Sequence, residues 1–201
     1  MKILETRTAP NPRRVRIFLA EKGIAVPYED LDLMTLKTPE FTAKNWFQRV
    51  PVLVLDDGTA IAETVAICRY FEELQPEPAL FGKGAVGRAT VEMWNRRVEL
   101  GLLFSVASAF RHLHPAMSQL EVPQVPAWGE ANKPRALDVL GYLDKELAGR
   151  QFIAGDELSI ADITALCAVD FMKPARIQRP PELTNVARWH AEMSARPSAK
   201  A

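Results

Sequence analysis

Apolar and polar positions along the chain fall into two regimes, which meet near residue 76. In the first, short apolar runs of strand size alternate with helical stretches. Ile3-Leu4 forms the centre of a strand-sized segment from Lys2 to Thr6. A Pro-Asn-Pro turn follows, which predicts Asn11 as a helix N-cap and Pro12 as the first helical residue. Val15, Phe18 and Leu19 then recur at helical spacing, and Lys22-Gly23 supplies a C-terminal glycine. Pro27 to Leu33 reads as a second strand, and residues 39–47 as a short irregular helix. Val50 to Leu55 is a third strand, with Asp57-Gly58 as a two-residue hairpin turn into Thr59-Ala60-Ile61. Ile67, Phe71 and Leu74 give an amphipathic helix that ends near Gln75-Pro76. The order is βαβ, then ββα.

The second regime carries no convincing strand. Pro76, Pro78, Gly82 and Gly84 mark a linker. Val91, Trp94, Val98, Leu102 and Val106 predict a long helix, and the proline-bearing stretch His114–Pro126 a loop. A helix fits 129–148. Ile160, Ile163, Cys167 and Phe171 define a buried one, opened by Ser159-x-x-Asp162 as a short capping box. A last helix runs from about Glu182 to Met193. The chain is therefore expected to be an α+β domain over 1–76, a linker over 77–84 and an all-helical domain over 85–201.

Composition narrows the partners. The 201 residues hold 25 Lys+Arg and 25 Asp+Glu, so no basic surplus calls for nucleic acid. No apolar stretch approaches membrane-spanning length, and the start has no apolar leader core. Cys68 and Cys167 lie far apart and form no Cys-x-x-Cys pair, which fits a reducing cytoplasm. His112, His114 and His190 have no metal-binding spacing with acids or cysteines, so no metal is expected. Trp94 and Trp189 read as core or interface residues, and the two cysteines as small buried hydrophobes.

Four motifs in order carry more. They are A-P-N-P-R-R-V-R-I-F-L-A-E-K-G-I after the first strand, R-V-P-V-L, D-D-G-T-A-I-A-E-T and S-I-A-D-I-T-A. Together they resemble the cytosolic glutathione transferase family over nearly the whole chain. The resemblance implies a thioredoxin-like N-terminal domain that binds glutathione, followed by an all-helical domain that shapes a second-substrate pocket. It also implies a homodimer, in which Arg96 and Glu99 are candidates to reach toward the partner's ligand.

The resemblance assigns site residues. Val50-Pro51 carries a cis peptide bond in the family, and the backbone before the proline pairs with the cysteinyl backbone of glutathione. An extended tripeptide added to a strand edge needs main-chain bonds rather than a particular side chain. Glu63 supplies an anion for the γ-glutamyl ammonium. Thr64 supplies a hydroxyl, and the helix behind it free amides, for the γ-glutamyl carboxylate. An N-cap with an acidic first turn accounts for the same dipeptide. Arg49, next to Gln48, and Lys37 are candidates for the glycyl carboxylate, and solvated surface charge accounts for either equally.

The group that activates the sulfur departs from the family pattern. Ala9 stands where related classes place a serine, with Thr8 one residue before it and Asn11 two after. A bacterial class of the family uses a Thr and an Asn in this turn, which makes Asn11 and Thr8 the catalytic candidates. Lowering a thiol pKa of ~8.5 by about two units takes roughly 2.7 kcal/mol. A helix N-terminus contributes up to ~2 kcal/mol and a charge-assisted amide bond ~1.5–3 kcal/mol, so the two suffice. The second-substrate pocket is expected between Ala9-Pro10 and Phe104, Phe110 and Arg111, although core packing explains the phenylalanines as well. Three readings stand: conjugation of glutathione to small electrophiles, glutathione-dependent disulfide or peroxide reduction, and a non-catalytic binding module.

Overall fold

The computed structural model describes residues 1–201, which divide into two compact units. One comprises Met1–Ala79 together with Pro197–Ala201, and the other Leu80–Arg196. No helix is long and apolar enough to cross a membrane.

The first unit is built on a four-stranded sheet. Its strands are β1 (Lys2–Glu5), β2 (Tyr28–Asp30), β3 (Val52–Val54) and β4 (Ala60–Ala62), in the order β2-β1-β3-β4. β1 runs parallel to β2 and antiparallel to β3, and β3 runs antiparallel to β4. The helices are α1 (Pro10–Lys22), α2 (Pro39–Lys44) and α3 (Thr64–Leu74). Ile3, Val15, Ile17, Phe18, Val52, Leu53 and Ile67 are fully buried, so the helical and strand periodicities of the sequence meet in one core. This is the expected thioredoxin-like arrangement.

Two local expectations need correction. Asn11 does not cap α1. The N-cap is Ala9, in an extended conformation without a side-chain bond, and Pro10 rather than Pro12 opens the helix. The backbone N–H of Ala9 closes a turn onto the Thr6 carbonyl at 2.9 Å, which starts the helix two residues early. The Asp57-Gly58 pair likewise does not form a two-residue turn. Leu55 N–H bonds Thr59 O, and Gly58 N–H bonds Leu55 O, so the loop holds three residues. Gly58 has φ 87°, the left-handed conformation that closes such a three-residue hairpin loop at no Cβ cost. At the far end of α1 the expectation holds. Gly23 at φ 66° caps the helix, and Ile24 N–H bonds Leu19 O at 2.9 Å.

Lys22 in the last turn of α1 is buried. Its ammonium sits 2.7 Å from the Glu72 carboxylate and donates to the Gln75 and Pro78 carbonyls. That places one cation on the C-terminal carbonyls after α3, where it also complements the helix dipole.

The second unit is helical. α4 (Gly84–Arg97) passes through a π-helical turn, Val98–Leu103, into α5 (Phe104–Leu113). Val91, Trp94, Val98, Leu102 and Val106 are all buried along it. α6 (Pro126–Leu147) packs closely on α5, because a Cβ at Gly129 would lie 2.6 Å from Leu113 Cγ. α7 (Ile160–Phe171) is the central helix and α8 (Thr184–Ala195) follows it. Cys68 and Cys167 are both buried, as are Trp94 and Trp189. The Ser159–Asp162 capping box forms in full. Asp162 does more than cap. Its Oδ1 also accepts from Ile153 N–H at 2.8 Å and Trp189 Nε1–H at 3.0 Å. Burial pushes this carboxyl above its usual value of 3.8, against the bonds from Ile153, Trp189 and Ser159 that favour the ionised form.

Candidate active site

Strand register brings three loops to one end of the sheet. Leu4 pairs Val52, and Val52 pairs Ala62. Extending each antiparallel pairing by one residue sets Pro51 beside Glu5 on one side and beside Glu63 on the other. The turn at Thr6–Ala9 and the start of α1 follow directly on Glu5. The start of α1, the Val50-Pro51 segment and the start of α3 therefore converge at the carboxyl end of β1, where open α/β sheets take ligands.

The Val50-Pro51 bond is cis, as the resemblance implies. The loop before it is held by Asn45, a residue that sequence reasoning passed over. Its Nδ2 donates to the Arg49 carbonyl at 2.8 Å and its Oδ1 accepts from Phe47 N–H at 3.1 Å. Its position just after α2, as a polar residue with two hydrogen-bonding atoms, was the available signal. Gln48 has φ 53°, a left-handed conformation for a residue with a Cβ, and its amide reaches Thr42 Oγ1 at 3.5 Å. Arg49 is half-buried, and Lys37 is exposed in the 3-10 turn Thr35–Lys37.

Glu63 is the N-cap residue of α3, at φ 68° and ψ 120°. A non-glycine residue held there costs about 1–3 kcal/mol, and such residues cluster at functional sites. Its side chain is exposed and makes no capping bond, and the first turn of α3 holds no acid. The ordinary account of Glu63-Thr64 as a capped, acid-supported helix start is thereby removed. Ile67 N–H makes the first helical bond, to Glu63 O at 2.9 Å, which leaves the amides of Thr64, Val65 and Ala66 open. Thr64 is buried, and Arg14 Nη2 donates to its hydroxyl.

At α1, Thr8 is exposed while Ala9, Pro10 and Asn11 are half-buried. Asn11 is the second helical residue. Prolines at the first and third positions have no N–H, and Arg13 N–H bonds Ala9 O. The Asn11 N–H is the one open amide of this turn, and the Asn11 carboxamide makes no hydrogen bond to the protein. Arg13 and Arg14 diverge as helical spacing requires. Arg14 is buried, whereas Arg13 is half-buried and donates to Ala199 O at 3.1 Å.

The remaining candidates lie in the second unit. Phe104 is 54% exposed, so it is not a core residue. Phe110 packs edge-on to Phe171 at 4.8 Å and stacks on His114 at 4.6 Å, which makes it partly a packing residue. Arg111 is half-buried, and its carbonyl accepts from Gln124. Arg96 pairs with Glu92 and Glu99 on its own helix, at 2.8 and 2.7 Å. His112 and His114 accept backbone N–H bonds through Nδ1, and His190 pairs with Asp170 at 2.7 Å.

Comparison with known proteins bears on the same segments. The glutathione S-transferase N-terminal domain family matches residues 8–74, and the glutathione S-transferase C-terminal domain family matches residues 127–197. The chain is 40% identical to glutathione S-transferase 2 of Saccharomyces cerevisiae, over all of this chain and 88% of that one. It superposes on the crystal structure of Gtt2 from Saccharomyces cerevisiae with a TM-score of 0.95 at 40% identity, covering 100% of this chain and 99% of that one. A glutathione S-transferase domain-containing protein from Marinobacter aquaeolei gives the same score at 41% identity, covering 98% and 99%. The chain belongs to the glutathione S-transferase family.

Proposed function

We propose that this chain conjugates the thiolate of glutathione to small electrophilic substrates, and that it does so as a cytoplasmic homodimer. The observation that carries the reading is the convergence of Val50-Pro51, the open start of α3 and the start of α1 at one end of the sheet. In this reading glutathione lies extended along that end. Its cysteinyl backbone pairs with the backbone of Val50. Its γ-glutamyl carboxylate meets the open amides and hydroxyl at Thr64, and its ammonium meets Glu63. Arg49 and Lys37 serve the glycyl carboxylate, with Gln48 shaping the loop between them. The sulfur then faces α1, where Asn11 offers an open N–H and an unengaged carboxamide. Thr8 and Ala9 flank that position. For the second substrate the candidates are Ala9 and Pro10 of the first unit and Phe104, Phe110 and Arg111 of the helical unit.

Turnover of glutathione with an aryl halide, a hydroperoxide and a small disulfide tests the reaction class. Conjugation of the aryl halide is the expected result; turnover confined to the disulfide or hydroperoxide would replace conjugation by reduction, and none with any of the three would leave a binding module. Glu63 is exposed, so its ion pair with ligand is screened by solvent. Glu63→Ala is accordingly expected to weaken glutathione binding about tenfold by calorimetry, with little change in stability. The dimer is supported by Trp46 and Phe47, which are 80% and 72% exposed beside the candidate site. Two adjacent large apolar side chains left in water mark a partner surface. Light scattering at micromolar concentration should give twice the 22.4 kDa of one chain, and a monomer mass would refute it.

A further inference from the structure

We infer that Arg14 is a positioning residue for glutathione, aiming the Thr64 hydroxyl at the γ-glutamyl carboxylate; this rests on the reading of Thr64 given above. Arg14 lies on α1, among the buried residues Val15, Ile17 and Phe18, and is only 4% exposed. Burying a guanidinium carries a desolvation cost that a helix surface would avoid. Its Nη2 crosses to α3 and donates to Thr64 Oγ1. A guanidinium has donors and no acceptor, whereas a hydroxyl has two lone pairs and one proton. Thr64 must therefore accept from Arg14, and its own proton is directed away from it. No acceptor in the protein takes that proton. Thr64 is itself 4% exposed and is the first residue of α3, so its hydroxyl sits among the open amides of that helix start. A carboxylate bound there completes the chain from Arg14 through Thr64 to ligand. A charged donor behind the hydroxyl also polarises it and strengthens the outward bond.

An Arg14 that only ties α1 to α3 would affect stability without choosing among ligands. The test is a double-mutant cycle read by calorimetry and steady-state kinetics. It uses the wild type, Arg14→Met, Thr64→Val and the double variant. The ligands are glutathione and its analogue with 4-aminobutyrate in place of the γ-glutamyl residue, which lacks the α-carboxylate and keeps the ammonium. Arg14→Met and Thr64→Val should each weaken glutathione binding about tenfold, and the double variant should be no weaker than either single one. The loss should fall on KM for glutathione, with kcat changed less than twofold. The analogue should bind all four proteins alike. Additive losses, or equal losses with the analogue, would overturn the inference. Thr64→Val binding glutathione as the wild type does would remove the carboxylate reading beneath it. Should Arg14→Met fail to fold, Arg14→Lys keeps a buried cation with a single donor head. It should show a smaller loss confined to glutathione, and losses matched between the two ligands would refute the role.

Discussion

Asp162→Ala is expected to lower unfolding free energy by about 4 kcal/mol, the range for removing one partner from a buried charged network. The carboxylate is fully buried and gathers Ile153 N–H, Ser159 N–H, Ser159 Oγ and Trp189 Nε1–H. These donors come from the segment before α7, from its N-cap and from α8, so one side chain joins three parts of the helical unit. Alanine leaves all of them in an apolar interior without an acceptor. Asp162→Asn keeps the shape and one acceptor oxygen, and should cost roughly half as much. Urea unfolding with the helical signal as the probe measures both. The pH dependence has a definite sign. Folding raises the carboxyl's pKa above 3.8, so its contribution is fully present below that value and declines as pH rises through the folded value. The gap between wild type and Asp162→Ala should therefore be wider near about pH 4 than near about pH 7. A loss below about 1 kcal/mol would show that water satisfies these groups as well as the carboxylate does.

This box was readable from Ser159 and Asp162 because capping is a local pattern, whose two ends lie 3 residues apart. Its reach to Ile153 and Trp189 was not, since those partners lie 9 and 27 residues away. The same division runs through the fold. Val15, Phe18 and Leu19 identified α1, and Ile160 to Phe171 identified α7, because apolar spacing reports which face is buried. Element ends were less legible. Pro10 and Pro12 are equally suited to a first helical turn, and only the Ala9-to-Thr6 bond selects the earlier one. Asp57-Gly58 suits a two-residue turn and a three-residue loop alike, and the register of β3 on β4 decides. In the candidate site, the backbone elements were visible as motifs. The side chains that support them were not. Arg14 reaches Thr64 across 50 positions, and nothing nearby distinguishes it from Arg13 except which side of α1 meets the core.

Asn11→Ala is expected to raise the pKa of bound glutathione and to lower kcat/KM by ten- to a hundredfold, matching about 1.4–2.8 kcal/mol. The placement of Asn11 separates that effect from folding. As an N-cap it would cost about 1 kcal/mol of stability when replaced. It is instead the second helical residue, with a carboxamide that bonds nothing in the protein. Alanine is the better helix former there, so Asn11→Ala should leave thermal stability unchanged or slightly raised. Thr8→Val should do little, because Thr8 is exposed and lies before the helix start. The backbone N–H of residue 11 survives either substitution, which bounds the loss: it is the side-chain share of the anion's stabilisation and not the whole. Asn11→Asp carries the sharper contrast. An acid in the first turn favours the helix dipole, so the protein should remain at least as stable. Its charge, however, would stand against the thiolate and push the sulfur's pKa up further than alanine does. Ultraviolet titration of the bound thiol gives the order directly: wild type lowest, Asn11→Ala higher, Asn11→Asp highest. A stable Asn11→Asp protein whose bound thiol titrates as in the wild type would take Asn11 out of the mechanism.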